Sequence, residues 1–167
     1  MAKTKAHTAY KLKDGTRVKG VTTILNNLGW NKNVLVAWAR RTALAGDDPD
    51  AVLKEAGAIG TLAHYLCECD IKGVKADTED YSAEQIEKAE NAFLGYLEWK
   101  KMTKPKYEAI ELKMVSEKYK VGGTADFIAR INGSLVLGDF KTSKGIYPEM
   151  TCQLAAYRKM YLETQPK

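Results

Sequence analysis

The pair Asn132-Gly133 constrains this chain more than any other two residues. Flanked by apolar runs, Asn-Gly is the strongest short-range signal for a two-residue type I′ hairpin turn, because both central residues must take φ > 0. The runs on either side, Val121 to Ile131 and Ser134 to Lys141, read as strands. A type I′ turn pairs Ile131 with Ser134. Counting outward, Arg130 faces Leu135, Ile128 faces Leu137 and Asp126 faces Asp139. Directly opposed residues have Cβ atoms about 4.5–5.5 Å apart, and like charges there are destabilising. A hairpin selected only for stability has no use for that pair. A divalent cation reverses the sign of the interaction, and a few carboxylates completed by water and phosphate describe a Mg²⁺ or Mn²⁺ site. The competing reading is a slipped register, or two acids that both sit exposed at a strand end.

Asp139 and Lys141 stand two apart on the second strand, so both point to one face. The acid-x-Lys spacing alone carries nothing, since Asp70-Ile71-Lys72, Glu98-Trp99-Lys100 and Glu111-Leu112-Lys113 share it. The context distinguishes Lys141: a cation beside paired acids stands where a phosphate or an attacking hydroxide needs one. Gly122-Gly123, just before Asp126, allows close approach of a backbone or a nucleic-acid strand, or else marks a bulge. A loop at Lys118-Tyr119 would bring Glu111 opposite Asp126, as a third acid or as a solvated strand residue.

The remaining elements frame this pair. Asp14-Gly15 between short alternating runs predicts a first hairpin, and a short helix follows to Leu28, stopped by Gly29. A second helix is expected over Val34–Ala45. A third opens at Asp48-Pro49 and runs to about Ile71, with Gly57 and Gly60 as candidate kink points. Ser82-Ala83-Glu84-Gln85 is a capping box for a helix to about Lys101. After Pro105 the period changes to alternation, and a last helix is expected from Glu149 to about Leu162. Helices, a three-stranded and mainly antiparallel meander, then a helix describe one α+β domain over residues 1–167. On α-helical stretches, Gly60 and His64 lie one turn apart, as do Gln153 and Tyr157. A lone helical histidine is more often structural than a ligand, and the Gln–Tyr pair alone reads as a helix edge.

Composition excludes several classes. The 26 Lys+Arg against 21 Asp+Glu leave a formal charge of +5, a modest hint of a polyanionic partner. Six bases against one acid make the first twenty positions the most positive stretch. No apolar run approaches the ~18 residues of a membrane helix. Lys3 and Lys5 precede no apolar segment of the secretory kind, so a cytoplasmic protein is expected. Cys67, Cys69 and Cys152 form neither a disulfide framework nor a good zinc or iron–sulfur set. With only His7 and His64, chemistry needing several histidines is excluded.

Taken in order, Gly60-x-x-x-His64, Gly123-Thr124-Ala125-Asp126, Asp139-Phe140-Lys141 and Gln153-x-x-x-Tyr157 resemble the PD-(D/E)xK nuclease superfamily, and within it the RecB-type branch. Gly20-Val21-Thr22-Thr23-Ile24-Leu25 and Trp38-Ala39 also look like small members of that branch, so the resemblance covers about residues 9 to 160. It implies a restriction-endonuclease-like α/β core. It implies that His64, Asp126, Asp139 and the Phe140 carbonyl hold one or two Mg²⁺ or Mn²⁺ ions, with Lys141 as the catalytic lysine. Gln153 and Tyr157 then contact DNA and support the site, with Thr142 and Lys144 beside them, while Glu111 matches no firm position. The cysteines that hold an iron–sulfur cluster in some relatives are missing, so none is expected. The sheet of these relatives usually gains further strands after the last helix, whereas this sequence stops at Lys167. The activity implied is a metal-dependent DNA nuclease, with an exonuclease on single strands or duplex ends favoured, alone or with a recombination or replication partner. The alternative is an inactive DNA-binding or protein-interaction module of the same fold.

Overall fold

The computed structural model describes residues 9–164; Lys3, Lys5 and His7 of the basic N-terminal stretch lie outside them. The described residues divide into two compact units, Gly29–Glu98 on the one hand and residues 9–28 with 99–164 on the other.

The first unit is helical. Helix α2 spans Lys32–Leu44 and buries none of its side chains. Helix α3 spans Pro49–Lys72 without interruption at Gly57 or Gly60. Its start follows the sequence signal: Asp48 accepts from the Asp50 amide at 3.0 Å, with Pro49 in the first turn. Gly73, at φ +65°, ends it in the left-handed conformation. Helix α4, Ala83–Thr103, begins with the expected capping box. The Gln85 amide donates to Ser82 Oγ at 3.2 Å and the Ser82 amide to Gln85 Oε1 at 3.0 Å. Leu62 and Ala63 of α3 meet Ala89 of α4 in the core of this unit. Among the described residues no helix is long and apolar enough to cross a membrane.

The second unit holds the sheet. Strands β1 (Tyr10–Lys11) and β2 (Arg17–Gly20) form the first hairpin, and helix α1 (Val21–Leu28) follows at once. Strand β3 (Lys106–Ser116) pairs antiparallel with β4 (Val121–Ile131), which pairs antiparallel with β5 (Ser134–Gly138). The expected meander is there, and the fold is α+β. The sequence reading did not foresee that β2 joins it: Lys19 pairs with Val121 and Gly20 with Gly122, in parallel, so the sheet is mixed. Strand β4 therefore carries β3 on one edge and β2, then β5, on the other. Helix α5 (Pro148–Thr164) covers one face, where Tyr157 and Met160 join Val21, Met114 and Ala125 in the core.

Around Asn132-Gly133 the turn and register are those expected. Asn132 and Gly133 have φ of +50° and +81°, and Ile131↔Ser134, Arg130↔Leu135 and Ile128↔Leu137 are paired. The end of β5 differs. The strand stops at Gly138 rather than Lys141, its last pair being Phe127↔Gly138. The cause is local. The next donor on that side, the Phe140 amide, is taken by a carboxylate oxygen of Asp126 and not by the carbonyl of a partner strand.

Candidate active site at the end of the β4–β5 hairpin

Asp126 and Asp139 each stand one step past Phe127↔Gly138, the last pair of the ladder. Asp126 is nearly buried, at 9% exposure, and the side chain of Asp139 is 6% exposed. Strand-end acids left in solvent would need no partners; these have them. Asp126 Oδ2 accepts from the Phe140 amide. Asp139 Oδ2 accepts from Lys141 Nζ, an ion pair inside the acid-x-Lys triplet. Although residues 139–141 lie outside β5, Lys141 stays on the same side as Asp139, as strand spacing anticipated.

Helix α5 contributes the rest. Gln153, itself 7% exposed, uses its carboxamide as a fork: Nε2 donates to Asp139 Oδ1 at 3.0 Å and to the Tyr157 hydroxyl oxygen at 2.9 Å. The i, i+4 spacing of Gln153 and Tyr157 makes that fork possible, since side chains one turn apart share a face. Burial pushes the Tyr157 phenol well above its usual range; the bond from Gln153 opposes this, and the negative charges of Asp139 and Asp126 add to it. Tyr157 therefore stays protonated at neutral pH and keeps an O–H to donate.

The paired glycines are filled from within. A Cβ on Gly123 would stand 2.4 Å from Tyr157 Cε1, and one on Gly122 would stand 2.1 Å from Tyr10 Cγ. They admit the protein's own aromatic rings, one on each side of β4. Tyr10 is the residue that sequence reasoning missed. Its ring lies over Gly122, its hydroxyl bonds Thr124 Oγ1 at 3.0 Å, and Lys113 Nζ lies 5.4 Å from its ring centroid. The pattern Gly122-x-Thr124, with a missing side chain beside a hydroxyl on one strand face, was the available signal.

The other candidates fall as follows. Glu111 lies across from Asp126, between the pairs Leu112↔Ala125 and Ile110↔Phe127, through a loop centred on Lys118-Tyr119. It is half-buried and has φ +51°, a left-handed backbone unusual for a glutamate. Thr142 and Lys144 are exposed in the loop between β5 and α5. His64 is half-buried on α3 and belongs to the first unit.

Among the described residues no three His, Cys, Asp or Glu side chains form a group able to hold a metal by themselves. At this end of the hairpin the second unit offers two nearly buried carboxylates, Asp126 and Asp139. Two acid oxygens of this hard, anionic kind suit Mg²⁺, which is commonly held by one or two carboxylates with water and a substrate phosphate completing the shell. An acid pair, a lysine on one acid and a buried amide–phenol brace form a set able to bind a cation and place a phosphate beside it. The chain matches no model of a known protein family and no curated protein.

Proposed function

We propose that this chain is a divalent-metal-dependent DNA nuclease of the PD-(D/E)xK kind, acting as an exonuclease on single strands or duplex ends. The observation that carries the reading is the near-burial of Asp126 and Asp139 at one hairpin end with Lys141 bonded to the second acid. Two desolvated carboxylates are costly unless something positive sits with them. Asp126 and Asp139 would hold the ion, with the Phe140 carbonyl as the further ligand that the family resemblance names within this unit. Mg²⁺ or Mn²⁺, when bound, supplies Lewis-acid polarisation of the phosphate and a more acidic bound water. The protein's own groups do the rest. Lys141 exchanges its bond to Asp139 for the scissile phosphate or the attacking water, offsetting negative charge as it grows. Gln153 holds Asp139 in one rotamer and is in turn fixed by Tyr157. Arg17 and Lys19 of β2, with Lys144, supply cations for the nucleic-acid backbone.

One observation favours a second reading, a DNA-binding module that does not cut. Both Asp139 oxygens already have donors from the chain itself, Gln153 on Oδ1 and Lys141 on Oδ2. One assay separates the two. End-labelled single-stranded, duplex and closed circular DNA are incubated with Mg²⁺, Mn²⁺ or EDTA. The nuclease reading expects a product ladder from one end, absent with EDTA and absent in Asp139→Asn, which still retains DNA. No cleavage of any substrate with either metal overturns it, and DNA retention without cleavage establishes the second reading.

A further inference from the structure

At the far end of the hairpin from the acid pair lies a groove of about 500 Å³ within the second unit. Lys104, Lys106 and Arg130 line it together with Thr103, Asn132 and Gly133. Two features of its construction work against stability, and both put cations into it. Lys106 and Arg130 are directly paired across β3 and β4. Like charges in that position are destabilising. Lys104 sits just past α4 at φ +47°, its amide donating to the Lys100 carbonyl at 2.9 Å. That left-handed position after a helix ordinarily takes glycine, because a side chain there is strained. The helix dipole accounts for cations in the last turn of α4, Lys100 and Lys101, but not for Lys106 on a strand. One acid tempers the groove: Glu108 Oε1 accepts from Arg130 Nε at 2.7 Å, leaving the two lysines as its available charge. Local costs accepted to gather one kind of charge point to a ligand of the opposite kind.

We infer that this groove binds a phosphate group of the nucleic-acid backbone at a distance from the cleavage point. The inference rests on the nuclease reading above and extends it. Arg130 is four residues along β4 from Asp126, about 13 Å at ~3.3 Å per residue. A strand whose backbone runs from the acid pair along β4 therefore reaches the groove within a few nucleotides, and the lysines add to the hold on it.

The test uses the full chain in EDTA, where no cleavage occurs, and the exposed-residue double variant Lys104→Gln, Lys106→Gln. Binding of a long, 15-nucleotide single strand is measured over a range of salt. Losing the groove's hold on one phosphate reduces the slope of log K against log [salt] by roughly 0.7. In parallel, inorganic phosphate is titrated against the Asn132 and Gly133 amide resonances, which shift in the wild type and not in the variant. An unchanged slope in a variant that binds the long strand overturns the inference while leaving the nuclease reading standing. A wild type that neither binds nor cuts DNA defeats the nuclease reading itself. In that event a phosphate titration with no shift overturns the groove as an anion site too, whereas a saturable shift lost in the variant retains it for phosphate alone.

Discussion

The Gln153 carboxamide is the piece of the site whose worth the geometry fixes best. Gln153→Leu keeps side-chain size and burial but removes both arms of the fork. Asp139 Oδ1 loses its donor in a side chain 6% exposed, and the Tyr157 hydroxyl loses one in a residue 4% exposed. A buried acceptor deprived of its donor costs about 1–3 kcal/mol, with charged acceptors toward the top of that range. The phenol recovers part of its loss, because its O–H can still donate. The sum is about 3 kcal/mol, and at roughly 2–4 °C per kcal/mol for a chain of this length the melting temperature falls by about 10 °C. Urea unfolding measures it directly. Because Nε2 serves both partners, a double-mutant cycle with Tyr157→Phe shows strong coupling, the pair costing clearly less than the two single changes added. A loss below about 1 kcal/mol with additive behaviour would refute the fork as the brace of Asp139.

Two further outcomes follow from packing and titration. Tyr157 has its folded-state pKa raised by burial above that of an unfolded tyrosine near 10, so its contribution to stability is intact below pH 10 and is lost as pH climbs beyond it. Alkaline unfolding of the wild type should steepen by about 1.4 kcal/mol per pH unit relative to Tyr157→Phe, and equal slopes would contradict the assignment. A Cβ at Gly138 would fall 1.9 Å from Phe127 Cζ, and the Phe127 ring is hemmed in by Trp99, Tyr107 and Phe140 at centroid distances of 5.6, 5.6 and 5.1 Å. Gly138→Ala should therefore cost about 2 kcal/mol of overpacking in denaturant unfolding, recovered in part by adding Phe127→Leu.

How much of this was legible depended on the range of each interaction. Asn132-Gly133 specified its turn locally, and alternation carried the register outward as far as Phe127↔Gly138, one step short of the two acids. Asp48, Ser82 and Gln85 announced helix starts for the same reason. The end of β5 was not legible, because a side chain, the Asp126 carboxylate, took the amide that a ladder would otherwise use. The parallel pairing of β2 with β4 was also hidden: it rests on two residue pairs about a hundred positions apart, with no local signature. Gly122 and Gly123 mark points of close approach, but which atoms approach is a tertiary fact. Tyr10 and Tyr157 fill those spaces.

The location of Asp126 has a structural reason that alternation alone would miss. Gly123 faces α5, since an added Cβ would meet Tyr157 and Met160. Ile128 faces α5 as well, lining a groove with Leu154 and Ala155. The two are five positions apart, and strict alternation would place them on opposite faces. Phe127, between them, turns its ring to Trp99 and Tyr107, while Ala125 packs with Met114 in the core beneath α5. The pleat is therefore reversed once between Ala125 and Phe127, at Asp126. Across the sheet from that step stands Glu111 at φ +51°, where a left-handed residue supplies the matching reversal on β3. A broken pleat lets the Asp126 carboxylate reach along the hairpin to the Phe140 amide instead of standing straight off one face. The same break ends the β5 ladder and frees residues 139–141 to fold toward α5, where Gln153 and Lys141 meet Asp139. The Asp126 carboxylate meets the Phe140 amide because the sheet stops being regular at the residue that carries it.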